Sequence, residues 1–151
     1  MSLPDSRGGT RSPLAVAVLT LLLTVSCSGG PDRGEVFSSD RTSVGVGVGV
    51  EAGERFSLAV RENASIGDRW NVHTPKPDPA VVEAAGRSYN SDSEEPVPGS
   101  GGTRYFTFRA VGPGSTQIVL RNCPRGLCGA TEAPAGPKKA VVTATYEVTV
   151  R

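Results

Sequence analysis

The reactive side chains of this 151-residue chain are few: Cys27, Cys123 and Cys128, and a single histidine, His73. A nucleophile needs a base beside it and a third group to orient that base. His73 has no Ser, Cys and Asp constellation near it in the sequence. A structural zinc takes about four ligands; the cysteines and one histidine are a poor supply. Glu94 and Glu95 sit in a polar, Pro/Gly-rich stretch and read as a solvated pair rather than a catalytic dyad. No P-loop and no dinucleotide fingerprint is present. The inventory points to no enzyme, no metal and no cofactor.

The cysteines suit other bonds. Arg7 and Arg11 precede "LAVAVLTLLLTV", Leu14 to Val25, an apolar run of 12 residues. A membrane-spanning helix needs about 20. A shorter run after a basic start is the pattern of an export signal. It ends in "TVSCSGG", whose small residues before the cysteine resemble the lipobox of bacterial lipoproteins, with Thr24 where Leu is usual. That resemblance implies cleavage before Cys27 and lipidation of its thiol. Residues 1–26 are then a signal peptide, and 27–42 a lipidated N-terminus and flexible tether. Residues 43–151 are the folded domain. The place is the cell envelope: extracytoplasmic, anchored to the membrane through lipid on Cys27. Cys123 and Cys128 remain as an even pair in an exported chain, for which a disulfide is the natural reading. The sequon Asn63-Ala64-Ser65 is a coincidence in a bacterial setting.

Removing Arg7, Arg11 and Asp5 with the signal leaves 14 basic and 14 acidic side chains. A mature chain of zero net charge is not a general nucleic-acid binder, which shows a basic excess.

The domain must be assembled from short strands. "SVGVGVGVEAG" alternates valines 44, 46, 48 and 50 with glycines, a period of two. Glycines in a strand suggest that another backbone comes close. "ERFSLAV" turns Phe56, Leu58 and Val60 inward, and "RWNVH" follows with Trp70. Prolines 75, 77 and 79 bar "TPKPDPA" from a central strand. "AVVEAAGRSY" reads as a strand, and Asn90 to Gly102 as a loop. "TRYFTFRAV", "STQIVLR" and "AVVTATYEVTV" are further strands, with Asn122 to Lys139 a long loop before the last. The total is about seven strands without an amphipathic helix, which predicts an all-β sandwich.

Between two of these strands lies "ENASIGDRW": a slim, uncharged tip from Asn63 to Gly67, then the only tryptophan. It resembles the Asn-Pro-Thr-Thr-Gly motif, followed by Trp, of the chagasin-like inhibitors of papain-type cysteine peptidases. "GSGGTRYFTF", Gly99 to Phe108, resembles the family's Gly-x-Gly-Gly and the aromatic strand after it, and "GPGSTQIVL" fits the next strand. Order and spacing agree from Val44 to Val150. The resemblance implies an immunoglobulin-like antiparallel β-sandwich whose three loops at one end enter a peptidase cleft. Asn63, Ala64, Ser65, Ile66 and Gly67 would form the central loop. Gly99, Gly101 and Gly102 would form the second, where backbone can lie against backbone. Trp70, Phe106 and Phe108 would brace them from the core.

At the third loop the family has Arg-Pro-Trp. Here Arg121 is followed by Asn122 and Cys123. The ring closed by Cys123 and Cys128 would replace the aromatic anchor with a knob carrying Arg125 and Leu127. The reading is thus of a monomeric, reversible, competitive inhibitor whose partner is a papain-type peptidase. The missing Arg-Pro-Trp favours a second reading, a non-inhibitory adhesion or assembly module on the same fold. A carbohydrate-binding sandwich would want exposed aromatics. The chain has only eight Phe, Trp and Tyr residues, and most alternate as core.

Overall fold

The computed structural model describes residues 32–39, 45–95, 97–123 and 141–151. Eight strands run in the order β1 (Glu35–Ser38), β2 (Val46–Val50), β3 (Arg55–Glu62), β4 (Arg69–Val72), β5 (Val82–Ser91), β6 (Gly102–Ala110), β7 (Gly114–Cys123) and β8 (Thr143–Val150). They make two four-stranded sheets, ordered β1-β3-β6-β5 and β2-β8-β7-β4. This is the immunoglobulin-like sandwich.

The alternation in the sequence becomes the core. Phe56, Leu58 and Val60 of β3 are buried with Phe106 and Phe108 of β6. They meet Ile118, Leu120, Tyr146 and Val148 of the second sheet in one hydrophobic cluster. Phe56 stacks on Phe108 at 5.7 Å. Each such side chain, taken out of water, contributes about 1.5–3 kcal/mol. Tyr146 crosses the gap between sheets, its hydroxyl donating to the Ala59 carbonyl at 3.5 Å. Burial pushes its phenol pKa up.

Four expectations are corrected. The sheets are mixed rather than antiparallel, because β1 pairs in parallel with β3 and β2 in parallel with β8. The tether expected over 27–42 contains a strand, which makes eight. β1 docks on β3 because Phe37 packs edge-on against Phe56 and the Ser57 hydroxyl donates to the Arg33 carbonyl. The folded part therefore begins by Asp32, not at residue 43. Third, Asn122 and Cys123 belong to β7 rather than to the loop after it, since β4 still offers Trp70 and Arg69 as partners. Finally, no described atom lies within 4 Å of where a Cβ on Gly47 would stand, so no backbone packs against that face of the strand. Cys27, Arg125, Leu127 and Cys128 lie outside the described residues.

Chain direction sets the two poles. β3 ends where β4, β6 and β8 begin and where β5 and β7 end. The β3–β4, β5–β6 and β7–β8 connections therefore all leave one pole.

Candidate functional site

The loop pole is built outward from a buried charge. Position 62 continues the inward alternation of β3, and it is a glutamate, only 2% exposed. Its carboxylate accepts from the Trp70 backbone N–H at 3.1 Å and from the Arg104 guanidinium at 2.5 Å. Arg104, on β6, lies over the Tyr89 ring at 4.9 Å. The Trp70 indole N–H donates to the Arg61 carbonyl at 2.9 Å. Since β3 and β4 lie in different sheets, Glu62 and Trp70 lock the sheets together directly beneath the connection that joins them.

That connection is no hairpin. Asn63 leads into a 3-10 turn over Ala64–Ile66, and Gly67 closes it in the left-handed conformation with φ 82°. The backbone N–H of Ile66 and of Asp68 donates to the Asn63 carbonyl. The Ser65 hydroxyl donates to Asn63 Oδ1 at 2.6 Å. The tip is thus closed on itself before anything touches it.

The second loop is clamped to the first. Asn63 Nδ2 donates to the Gly99 carbonyl at 3.1 Å, and the Gly99 N–H donates to Ser65 Oγ at 3.0 Å. Gly99 itself has φ 87°, a conformation that L side chains rarely adopt. Below this clamp, Arg61 grips Asp92 through both guanidinium nitrogens, at 2.8 and 2.5 Å. That hydrogen-bonded pairing holds the Asp92 carboxyl below its ordinary range and raises Arg61. The Asp92 N–H donates to the Gly101 carbonyl at 3.0 Å.

The sequence-predicted residues fall into four groups. Asn63, Ala64, Ser65, Ile66, Gly67, Gly99 and Gly101 come together at the pole. Gly102 does not present itself there: it is buried in β6, and a Cβ on it would stand 2.5 Å from the Tyr89 ring. Trp70, Phe106 and Phe108 are buried at 3%, 5% and 2% exposure. Arg121 lies within β7, half-buried, with Nη1 3.4 Å from His73 Nε2.

Two features escape the sequence reading. One is the Glu62–Arg104 pair; its signal was a carboxylate and a guanidinium at inward positions of neighbouring strands. The other is an apolar tip. Of five large hydrophobic residues exposed in the described chain, three belong to this pole: Ile66, Val97 and Val141.

Residues 49–130 match the family described as Chagasin family peptidase inhibitor I42. The chain belongs to that family. The chagasin-family match takes in both clamped loops and the whole of β7 with the residues that follow it. Among solved structures, the chain is similar to the solution structure of amebosin, with 21% identity over 81% of this chain and 100% of that one, at a TM-score of 0.52. It is likewise similar to the crystal structure of the cysteine protease inhibitor EhICP2 from Entamoeba histolytica, with 17% identity over 81% and 100%, at 0.51. At these identities the likeness concerns the fold. No curated protein sequence matches the chain.

Proposed function

We propose that the chain is a reversible, competitive inhibitor of papain-type cysteine peptidases that plugs the active-site cleft with the loops of one pole. The observation that carries this is the mutual clamp of Asn63 and Ser65 with Gly99, which makes one preformed projection of two loops. A projection already ordered loses little freedom on docking. Its tip offers small residues, one exposed isoleucine and no charge from Asn63 to Gly67. A slot between a catalytic cysteine and histidine admits that shape. Membership of a peptidase-inhibitor family supports the same reading.

The finer assignments belong to this proposal. Asn63, Ala64, Ser65, Ile66 and Gly67 enter the cleft, and Gly99 and Gly101 lie along its wall. Cys123 and Cys128 close a ring that presents Arg125 and Leu127 to the enzyme's rim. Cys27 carries the lipid that keeps the inhibitor in the cell envelope.

The test is titration of papain with the soluble chain from Ser28 onward. The reading expects the apparent KM to rise with inhibitor while kcat is unchanged, and the inhibitor to be recovered uncut. A variant without Cys123 and Cys128 then isolates the ring: affinity unchanged from the parent removes the ring from the contact surface. One observation favours the adhesion or assembly module instead. Arg121, where the family's Arg-Pro-Trp would start, lies within β7 and reaches across to His73, just past β4, rather than into a loop. Full papain activity in excess domain would leave that module as the reading.

A further inference from the structure

The segment that precedes the sandwich is pinned along it. Arg33 lies over the Tyr105 ring at 4.1 Å and donates to Asn90 Oδ1 at 2.8 Å and to Ser88 Oγ at 3.3 Å. Asp32 is 3.7 Å from the Arg55 guanidinium and caps the Gly34 N–H at 3.3 Å. Gly34 has φ 59°, and a Cβ there would stand 1.7 Å from the Arg55 carbonyl oxygen. Only glycine passes that point. β1 then runs in register with β3, from Glu35 beside Phe56 to Ser38 beside Ala59.

Because β1 is parallel to β3, its direction decides where the chain before it leaves. β3 climbs from Arg55 to Glu62, at the foot of the clamped loops. Asp32 is held against Arg55, at the other end. Seven residue steps of strand separate the two poles by roughly 23 Å. Cys27 precedes Asp32 by five steps, which span roughly 18 Å at full extension.

We propose that residues Asp32–Ser39 are an orienting strap, which keeps the loop pole turned away from the membrane and offers it to a peptidase dissolved in the aqueous phase. This rests on acylation of Cys27, as set out above. With the lipid in the bilayer, an inverted domain would hold Asp32 higher than the leader can reach. The loops therefore cannot press on the lipid surface, and a peptidase whose cleft lies against that surface is not their partner. The pole that faces the bilayer is the one carrying Glu51, Glu54 and Gly112.

The experiment places the acylated mature chain on nanodiscs that contain a gadolinium-chelating lipid and measures the attenuation of each backbone amide signal. The expected result is strong attenuation at Glu51, Gly53 and Glu54 and little at Ser65 and Ser100. Equal attenuation at both poles, or stronger attenuation at Ser65, overturns the orientation. A chain that does not stay with the discs overturns the anchor and this proposal with it, while inhibition of papain by the soluble chain is unaffected. The variant Gly34→Val tests the strap itself. It should free the leader as far as Ser39, a reach of roughly 40 Å. Attenuation should then spread to both poles while the amide signals of β7 and β8, in the sheet the strap does not touch, keep their positions. An unchanged attenuation profile in that variant overturns the strap.

Discussion

The two poles of this sandwich close their chain turns by different means. At the pole opposite the loops, backbone bonds tie one turn to the next: the Ala52 N–H donates to the Arg151 carbonyl and the Gly53 N–H to the Ala110 carbonyl, each at 2.9 Å, while the side-chain bond from the Glu51 N–H to Glu54 Oε2 stays within its own turn. The charges there pair in the open, Arg151 with Glu51 and Arg109 with Glu83. At the loop pole, side chains hold one loop to the next, and a carboxylate is buried beneath them. Burying a charge is costly unless its partners are complete. A turn that only needs to reverse the chain has no use for it. The contrast indicates that the loop pole is organised to hold a shape, and the opposite pole merely to end strands.

The largest test of that contrast is removal of one charge from each pole. Glu62→Ala leaves a mostly buried guanidinium without its carboxylate and should cost about 3 kcal/mol or more in urea unfolding. Glu83→Ala breaks an exposed pair and should cost under about 1 kcal/mol. Equal losses would erase the distinction. The next test compares two left-handed glycines. Gly67→Ala and Gly53→Ala, at φ 82° and 92°, should each lose about 1–2 kcal/mol of stability from backbone strain. Only the Gly67 variant should inhibit papain less well, because only that turn shapes the tip.

A smaller effect comes from uncoupling the loops. Asn63→Ala removes the donor to Gly99 and the acceptor for Ser65. The loss of about 1 kcal/mol of net hydrogen bonding should lower Tm by about 4 °C and, by loosening the projection before it docks, weaken inhibition by up to about fivefold. Smallest is the Arg61–Asp92 clasp, which is exposed and screened. The folded-state pKa of Asp92 is depressed. Its contribution is therefore complete above the unfolded value of about 3.9 and is lost as pH falls through the lower folded value. The Tm gap between the parent and Asp92→Asn should be constant near neutrality and close on the acid side of about pH 4.

The sequence carried the strands of the core because period-two alternation is local: Phe56, Leu58 and Val60 announce β3 without help. It carried the tips for the same reason, since Gly67, Gly99 and Gly101 punctuate the chain. What it hid is non-local. β1 has no alternation to show; its apolar residues, Val36 and Phe37, are adjacent, and its reason to be a strand is a parallel partner some twenty positions later. Glu62 and Arg104 are legible as a pair only once β3 and β6 are known to be neighbours. A charged residue taken alone is expected outside. Asn122 and Cys123 look like loop residues in the sequence, whereas pairing with β4 carries β7 through both.

The central claim is that one pole plugs an enzyme's groove. Hydrogen exchange of the soluble domain, alone and saturated with inactivated papain, maps the contact directly. The account predicts slowed exchange at Ala64 through Gly67 and at Gly99 through Gly101, with Ala52 and Gly53 unchanged. Slowing confined to the opposite pole or to the outer face of either sheet would contradict it.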